Sequence, residues 1–195
     1  MGTIKVREGM FGKMLEQALQ IAKRGDRIQL APGHYVVDSF SIFDLTLQGI
    51  GEPSEVVLET KIDITGRAAF ESLTMRAPHF TNAVHMPYAG KFAMFTRCLI
   101  HPDPTGKYPA LFARDAALPL TDCEVRGGDG IKDLMVEGGA RLTATRSRLG
   151  KVLAQGSTVE LNDVAAESII ALQRSRVRAD TLTLTPRPQK RSLNI

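Results

Sequence analysis

An eight-residue alternation of apolar and polar positions recurs seven times along the chain, in the form Φ-x-Φ-x-x-Φ-x-Φ with Φ apolar. The copies lie at 40–47, 68–75, 93–100, 118–125, 142–149, 159–166 and 177–184. Ser147 alone breaks the apolar rule, and Phe43 alone breaks the polar central pair. Apolar residues at period two on either side of a polar pair predict a strand, a sharp corner and a second strand. The pairs are rich in Asp, Asn, Ser and Thr, which favour turns. The third positions, Ile42, Phe70, Phe95, Leu120, Ala144, Leu161 and Ala179, are separated by 28, 25, 25, 24, 17 and 18 residues. A constant core with inserts of varying length predicts a solenoid, because loops bulge outward without disturbing a stack of coils.

A weaker motif precedes the later copies. Leu111, Met135, Val152 and Ile170 each stand seven residues before the first apolar position of their copy, and turn residues intervene. This predicts a further strand that closes each coil. Upstream, residues 3–7 read as a short strand. Residues 10–23 carry Phe11, Met14, Leu15, Ala18, Leu19 and Ala22 on one helical face, and Arg24-Gly25 supplies the stop. The expected object is a rod of about eight coils, roughly 35–40 Å long at the spacing of stacked strands, with helix 10–23 as its N-terminal cap.

The segment after the helix, Gly25-Asp26-Arg27-Ile28-Gln29-Leu30-Ala31-Pro32-Gly33-His34-Tyr35, resembles the opening of right-handed parallel β-helix proteins of the pectin lyase-like superfamily. Leu45-Thr46-Leu47-Gln48-Gly49-Ile50-Gly51 resembles their usual second coil. The resemblance implies an all-β fold, a right-handed single-stranded parallel β-helix over residues 1–185. Residues 186–195 are then a basic, proline-containing tail or linker. Enzymes, tailspikes and non-catalytic binding domains share this fold, so the resemblance implies no single activity. No Gly-His-Gly, no Asp-Asp pair and no dense acidic cluster of the kind found in the superfamily's enzymes occurs here.

If the copies stack in register, their sixth positions form an interior row of Leu45, Leu73, Cys98, Cys123, Ser147, Val164 and Leu182. Cys98 and Cys123 are then neighbours, and they read as buried thiols filling a core rather than as a redox pair or metal site. The fifth positions give Asp44, Ser72, Arg97, Asp122, Arg146, Asp163 and Thr181. The alternating charges of the four residues from Arg97 to Asp163 read as an ion-pair ladder rather than as catalytic carboxylates.

Composition narrows the picture modestly. Hydrophobic content of 43%, charged content of 24% and a net charge of +4 suit one soluble domain and do not call for a nucleic-acid partner. Two cysteines cannot form a disulfide framework. No membrane span or signal-peptide layout is visible, so a cytoplasmic address is expected. No metal or cofactor is expected. Arg24-Gly25-Asp26 is explained by the helix stop, and Gly127-Gly128-Asp129-Gly130 by a turn between coils.

Candidate chemistry falls on two inserts, 76–91 with His79, His85 and Tyr88, and 101–109 with His101, Asp103, Lys107 and Tyr108. They follow adjacent coils and are expected to meet as a ligand-binding surface. The favoured reading is a non-catalytic binding or scaffold domain for a protein or carbohydrate, serving as the N-terminal module of a larger assembly, with oligomerisation through an exposed coil end. The alternatives are a lyase or hydrolase acting on acidic polysaccharide and a component of a phage tail or spike.

Overall fold

The computed structural model describes residues 2–7, 11–102, 105, 107–125 and 132–185, and for 11–13 the backbone only. Every strand pair among them is parallel. The chain winds as a right-handed parallel β-helix with three sheets. The first sheet stacks Thr3–Val6, Arg27–Leu30, Leu45–Gly49, Arg67–Glu71, Phe92–Thr96, Ala117–Thr121, residues 141–145 and 158–162, and Arg176–Ala179. The second runs from residues 33–36 to Leu182–Leu184, and the third from residues 39–42 to 168–172.

Period-two burial places one residue in two inside the rod. Residues 56–64, for example, alternate between buried and half-buried along their whole length. Register then lines like with like. Ile28, Leu47, Phe70, Phe95, Leu120, Ala144 and Leu161 form one interior row of the first sheet. The rings of Phe70 and Phe95 stack at 4.8 Å and 7°, which is the spacing of the strands that carry them.

Helix α1 (Phe11–Ile21) occupies the stretch of chain between two successive first-sheet strands, Thr3–Val6 and Arg27–Leu30. It packs on Thr3–Val6 and Gly33–Ile42, with Leu15 and Ala18 buried. It covers the N-terminal end of the stack, where the sequence placed a cap. No helix among the described residues is long and apolar enough to cross a membrane.

Two corners turn through the left-handed region. Between the first and second sheets Ser72, Arg97, Asp122, Arg146 and Asp163 have φ of 53°, 54°, 53°, 46° and 54°. These are fifth positions of the octet, which places the sharp turn where the polar pair predicted it. Thr181 does not follow, being absent from the left-handed residues, as suits a β-branched side chain. Between the third and first sheets Gly90, Asp115, Gly138, Gly156 and Gln173 play the same part.

The first octet belongs to this other corner. Ile42 pairs with Ile64, and Leu45 with Ala68, so residues 40–47 pass from third sheet to first while the later copies pass from first to second. Its pattern is right and its row is wrong, because both corners join two strands through a left-handed residue. Asp44 therefore stands outside the row of fifth positions; it pairs with Arg24 at 2.8 Å. Phe43, the exception in the polar pair, lies across Gly66, where a Cβ would stand 2.4 Å from its ring, and the Arg24 guanidinium sits 4.5 Å from the ring centre. The closing strand exists as the third sheet, but Leu111 and Val152 share their row with Leu134 and Ile169. Met135 and Ile170 are one residue off and point outward.

In the charge ladder, Arg146 grips Asp122 with two hydrogen bonds of 2.7 and 2.9 Å. Arg97 instead bonds Glu52 at 3.2 Å. The Arg146 guanidinium holds the Asp122 carboxyl below its ordinary range, as Arg24 does for Asp44, and the amides of Gly2 and Lys23 do the same for Asp26. Cys98 and Cys123 are buried neighbours whose thiols lie 3.4 and 3.2 Å from the Thr96 and Thr121 carbonyls, and burial pushes the Cys98 thiol well up. Ser147, the polar exception, is accommodated in the next tier by accepting the Cys123 amide at 3.1 Å and donating to the Thr145 carbonyl at 2.8 Å.

Three outcomes follow for stability. A Cβ on Gly49 would stand 2.1 Å from the Ser72 carbonyl oxygen in the next coil, so Gly49→Ala is expected to lose about 2–3 kcal/mol in urea unfolding. Cys98 and Cys123 should react with a thiol reagent only at the rate of unfolding, measured by following the label with time in rising denaturant. The lowered carboxyls stabilise the fold above the ordinary carboxylate pKa, and that contribution is lost as pH falls through their folded values. Acid unfolding should therefore set in below about pH 4, and Asp122→Asn should flatten that limb of a stability–pH curve.

Candidate functional site

The second-to-third corner carries the inserts. The two inserts touch at their described residues, as the sequence anticipated. The Ala77 amide donates to the His101 carbonyl at 3.2 Å, and the buried Asn82 side chain donates to the Pro109 carbonyl at 2.6 Å. His79 and Lys107 meet across Phe80, with ring centres 6.1 Å apart and the Lys107 Nζ 5.4 Å from the Phe80 ring. His101 sits on a second-sheet strand, beside Arg76 in the preceding coil. Tyr108 is exposed on the loop. Asp103 lies outside the described residues, as does Gly127-Gly128-Asp129-Gly130.

The six candidates among the described residues do not form one site. Insert 76–91 contains a short strand, Val84–Met86, because Val84 and Met86 fill the interior on either side of His85. His85 therefore faces out from the third sheet, away from the loop. Tyr88 lies beyond that strand, exposed before the left-handed Gly90 at the next corner.

On the outer face of the third sheet a different group assembles. Register aligns Ser41, Asp63, His85, Phe112, Met135, Leu153 and Ile170 in one outward row. His85 Nδ1 is 2.8 Å from Asp63 Oδ1, and Lys61 Nζ is 3.0 Å from Asp63 Oδ2. An ionised carboxylate only accepts, so Nδ1 carries the proton and Nε2 is the basic nitrogen of His85. The His85 and Phe112 rings lie 5.4 Å apart. Arg114 lies over Phe112 at 5.8 Å and pairs with Glu137. Beyond them the row becomes apolar.

Sequence reasoning found His85 and missed Asp63, Lys61, Phe112, Arg114 and Glu137. The signal was present in Lys61-Ile62-Asp63-Ile64, Val84-His85-Met86 and Leu111-Phe112-Ala113. Each places an outward residue between two interior ones, and aligning those triplets would have revealed the row.

The chemistry of this face is constrained. Asp63 serves both Lys61 and His85, and Glu137 serves Arg114. Asp63 and Glu137 are three coils apart, roughly 14 Å at the strand spacing, too far for the paired carboxylates of glycoside hydrolysis, which stand about 5–9.5 Å apart. Among the described residues no group of three or more His, Cys, Asp or Glu side chains is arranged to hold a metal ion. A depression on the outer face of the first sheet has a volume of about 460 Å³ and is walled by Arg24, Asp44, Arg67, Phe92 and Met94. It is a shallow surface groove whose Arg24 is already committed to Asp44.

No protein-family model matches the chain, and no curated protein matches it in sequence. Among solved structures it resembles the pectin methylesterase PemA from Erwinia chrysanthemi, with a TM-score of 0.52 and 10% identity, over 96% of this chain and 91% of that one. A PL6 family alginate lyase, AlyGC, superposes with a TM-score of 0.48 and 13% identity, over 95% of this chain and 39% of that one. Pectin methylesterase from Aspergillus niger gives 0.42 and 11%, over 92% and 86%. Identities this low are a likeness of fold alone, and the chain shares with PemA the right-handed parallel β-helix.

Proposed function

We propose that this chain is a non-catalytic β-helix binding domain whose ligand lies along the outer face of the third sheet. The observation that supports this reading most is the row itself. Charged groups at its N-terminal end are already paired with one another, and an apolar run of Phe112, Met135, Leu153 and Ile170 continues from them down the rod. Paired charges orient a ligand, whereas desolvated apolar side chains supply most of the affinity. A run four coils long suits an extended protein segment better than a saccharide, which needs hydrogen-bonding groups along its length.

A second reading is favoured by the His85–Asp63 pair. A carboxylate that fixes the tautomer and leaves Nε2 facing outward is the arrangement of a general base. In this reading the chain is a polysaccharide lyase or hydrolase, in keeping with the name of the pectin methylesterase it resembles in fold.

Both readings are tested with one set of variants. Phe112→Ala should weaken capture of the protein partner by about tenfold or more, while His85→Ala should cost less, since it leaves the apolar run intact. Polygalacturonate, alginate and a glycosaminoglycan incubated with the wild type should give no unsaturated products and no new reducing ends. Product formation that His85→Ala abolishes would establish the catalytic reading instead.

A further inference from the structure

The C-terminal end of the rod differs from the rest in two respects. The first is exposure. Val177 and Leu184 stack in register on Val159 and Ala166, interior residues with 0% exposure. Val177 itself is 40% exposed and Leu184 is 58% exposed. The last octet keeps an interior pattern with no coil beyond it among the described residues. Among the described residues, Arg176–Ala179 and Leu182–Leu184 each pair with Thr158–Leu172 on one side only.

The second is charge. Residues 173–195 contain Arg174, Arg176, Arg178, Arg187, Lys190 and Arg191 against Asp180 alone, a net of +5. The whole chain carries +4, so residues 1–172 carry −1. All the net positive charge of the protein is gathered on its last coil and the residues that follow.

We propose that this end is a docking site for an acidic, extended segment of another protein, which adds a strand to the open edge formed by Arg176–Ala179 and Leu182–Leu184. An open edge offers backbone donors and acceptors, and strand addition satisfies them while side chains at alternate positions choose the partner. Val177, Ala179, Leu182 and Leu184 supply apolar positions at period two, and Arg174, Arg176 and Arg178 supply the field that selects acidic residues. The rival occupants fit less well. A second copy would bring a second +5 against the first. Residues 186–195 carry the same sign, and Pro186 and Pro188 lack the amide that a sheet ladder requires. Nucleic acid would accept the charge but not the strand edge, and residues 173–195 hold no aromatic side chain on which a base could stack. The proposal concerns a surface separate from the His85–Phe112 row and stands whether or not that row binds.

The test uses the full chain and a labelled peptide of alternating Val and Glu, with its Val–Lys counterpart and poly-uridylate RNA as controls. Fluorescence anisotropy at low ionic strength should show binding of the Val–Glu peptide, at least about tenfold tighter than the Val–Lys peptide and weakened by added salt. Arg176→Glu with Arg178→Glu, on side chains exposed to solvent, should weaken it by about tenfold and leave the circular dichroism spectrum unchanged. His85→Ala should leave it unaltered. Bound peptide should slow hydrogen exchange of amides in 176–184. Equal binding of both peptides, a preference for poly-uridylate, or self-association that protects these amides without peptide would each overturn the proposal.

Discussion

The hydrogen-bonded register between successive coils is the constraint on which everything else rests. Each strand is paired along its length with the strand one coil below. A residue's neighbours in space are therefore fixed by its counterparts roughly one coil away in sequence, and side chains of like character accumulate in rows. The stacked rings of Phe70 and Phe95, the buried thiols of Cys98 and Cys123 and the outward sequence Asp63, His85, Phe112 are the same geometry with different contents. Interior rows contribute burial. Outward rows contribute chemistry, and nothing in the backbone distinguishes one from the other except which way alternate residues point.

This explains how far the sequence could be read. Strand positions, the turn at the fifth octet position, the helix cap and the meeting of the two inserts were legible because each rests on local alternation or on residue types suited to a turn. The row that holds His85 was not, because its members lie on separate strands about a coil apart and are recognised only after register is known. The same gap produced the misplaced first octet: two corners of similar local shape cannot be told apart by an eight-residue pattern. Val84–Met86 escaped notice because three residues between loops carry too little periodicity to announce a strand. The grouping of basic residues after position 172 was visible in the sequence, but it acquires meaning only when Arg174, Arg176 and Arg178 are found on the last described coil.

Inserts are confined largely to one corner. The two corners built on left-handed residues are tight apart from residues 50–55, whereas the second-to-third corner admits the long inserts and then closes to a single residue in the last coils, where Arg141–Gln155 and Thr158–Leu172 run round it as continuous strands. Variation is thereby kept beside the third sheet. The paired charges of Lys61, Asp63 and His85 lie in the coils beside loop 77–83, and Leu153 and Ile170 at the apolar end lie where the corner has closed.

The helix at one end and the open coil at the other give the rod a direction in time as well as in space. A stack in which each coil touches only its neighbours gains stability by accretion, and its free energy is approximately a sum of local and nearest-neighbour contributions. The covered end has α1 packed on its first strands, and it leaves the ribosome before the other end. Coils can then be laid down one upon another in the order of synthesis, each finding a finished template beneath it. Loss of structure would run the opposite way, from the last coil inward, so the most readily unravelled part of the molecule is also the part that a partner strand would make whole.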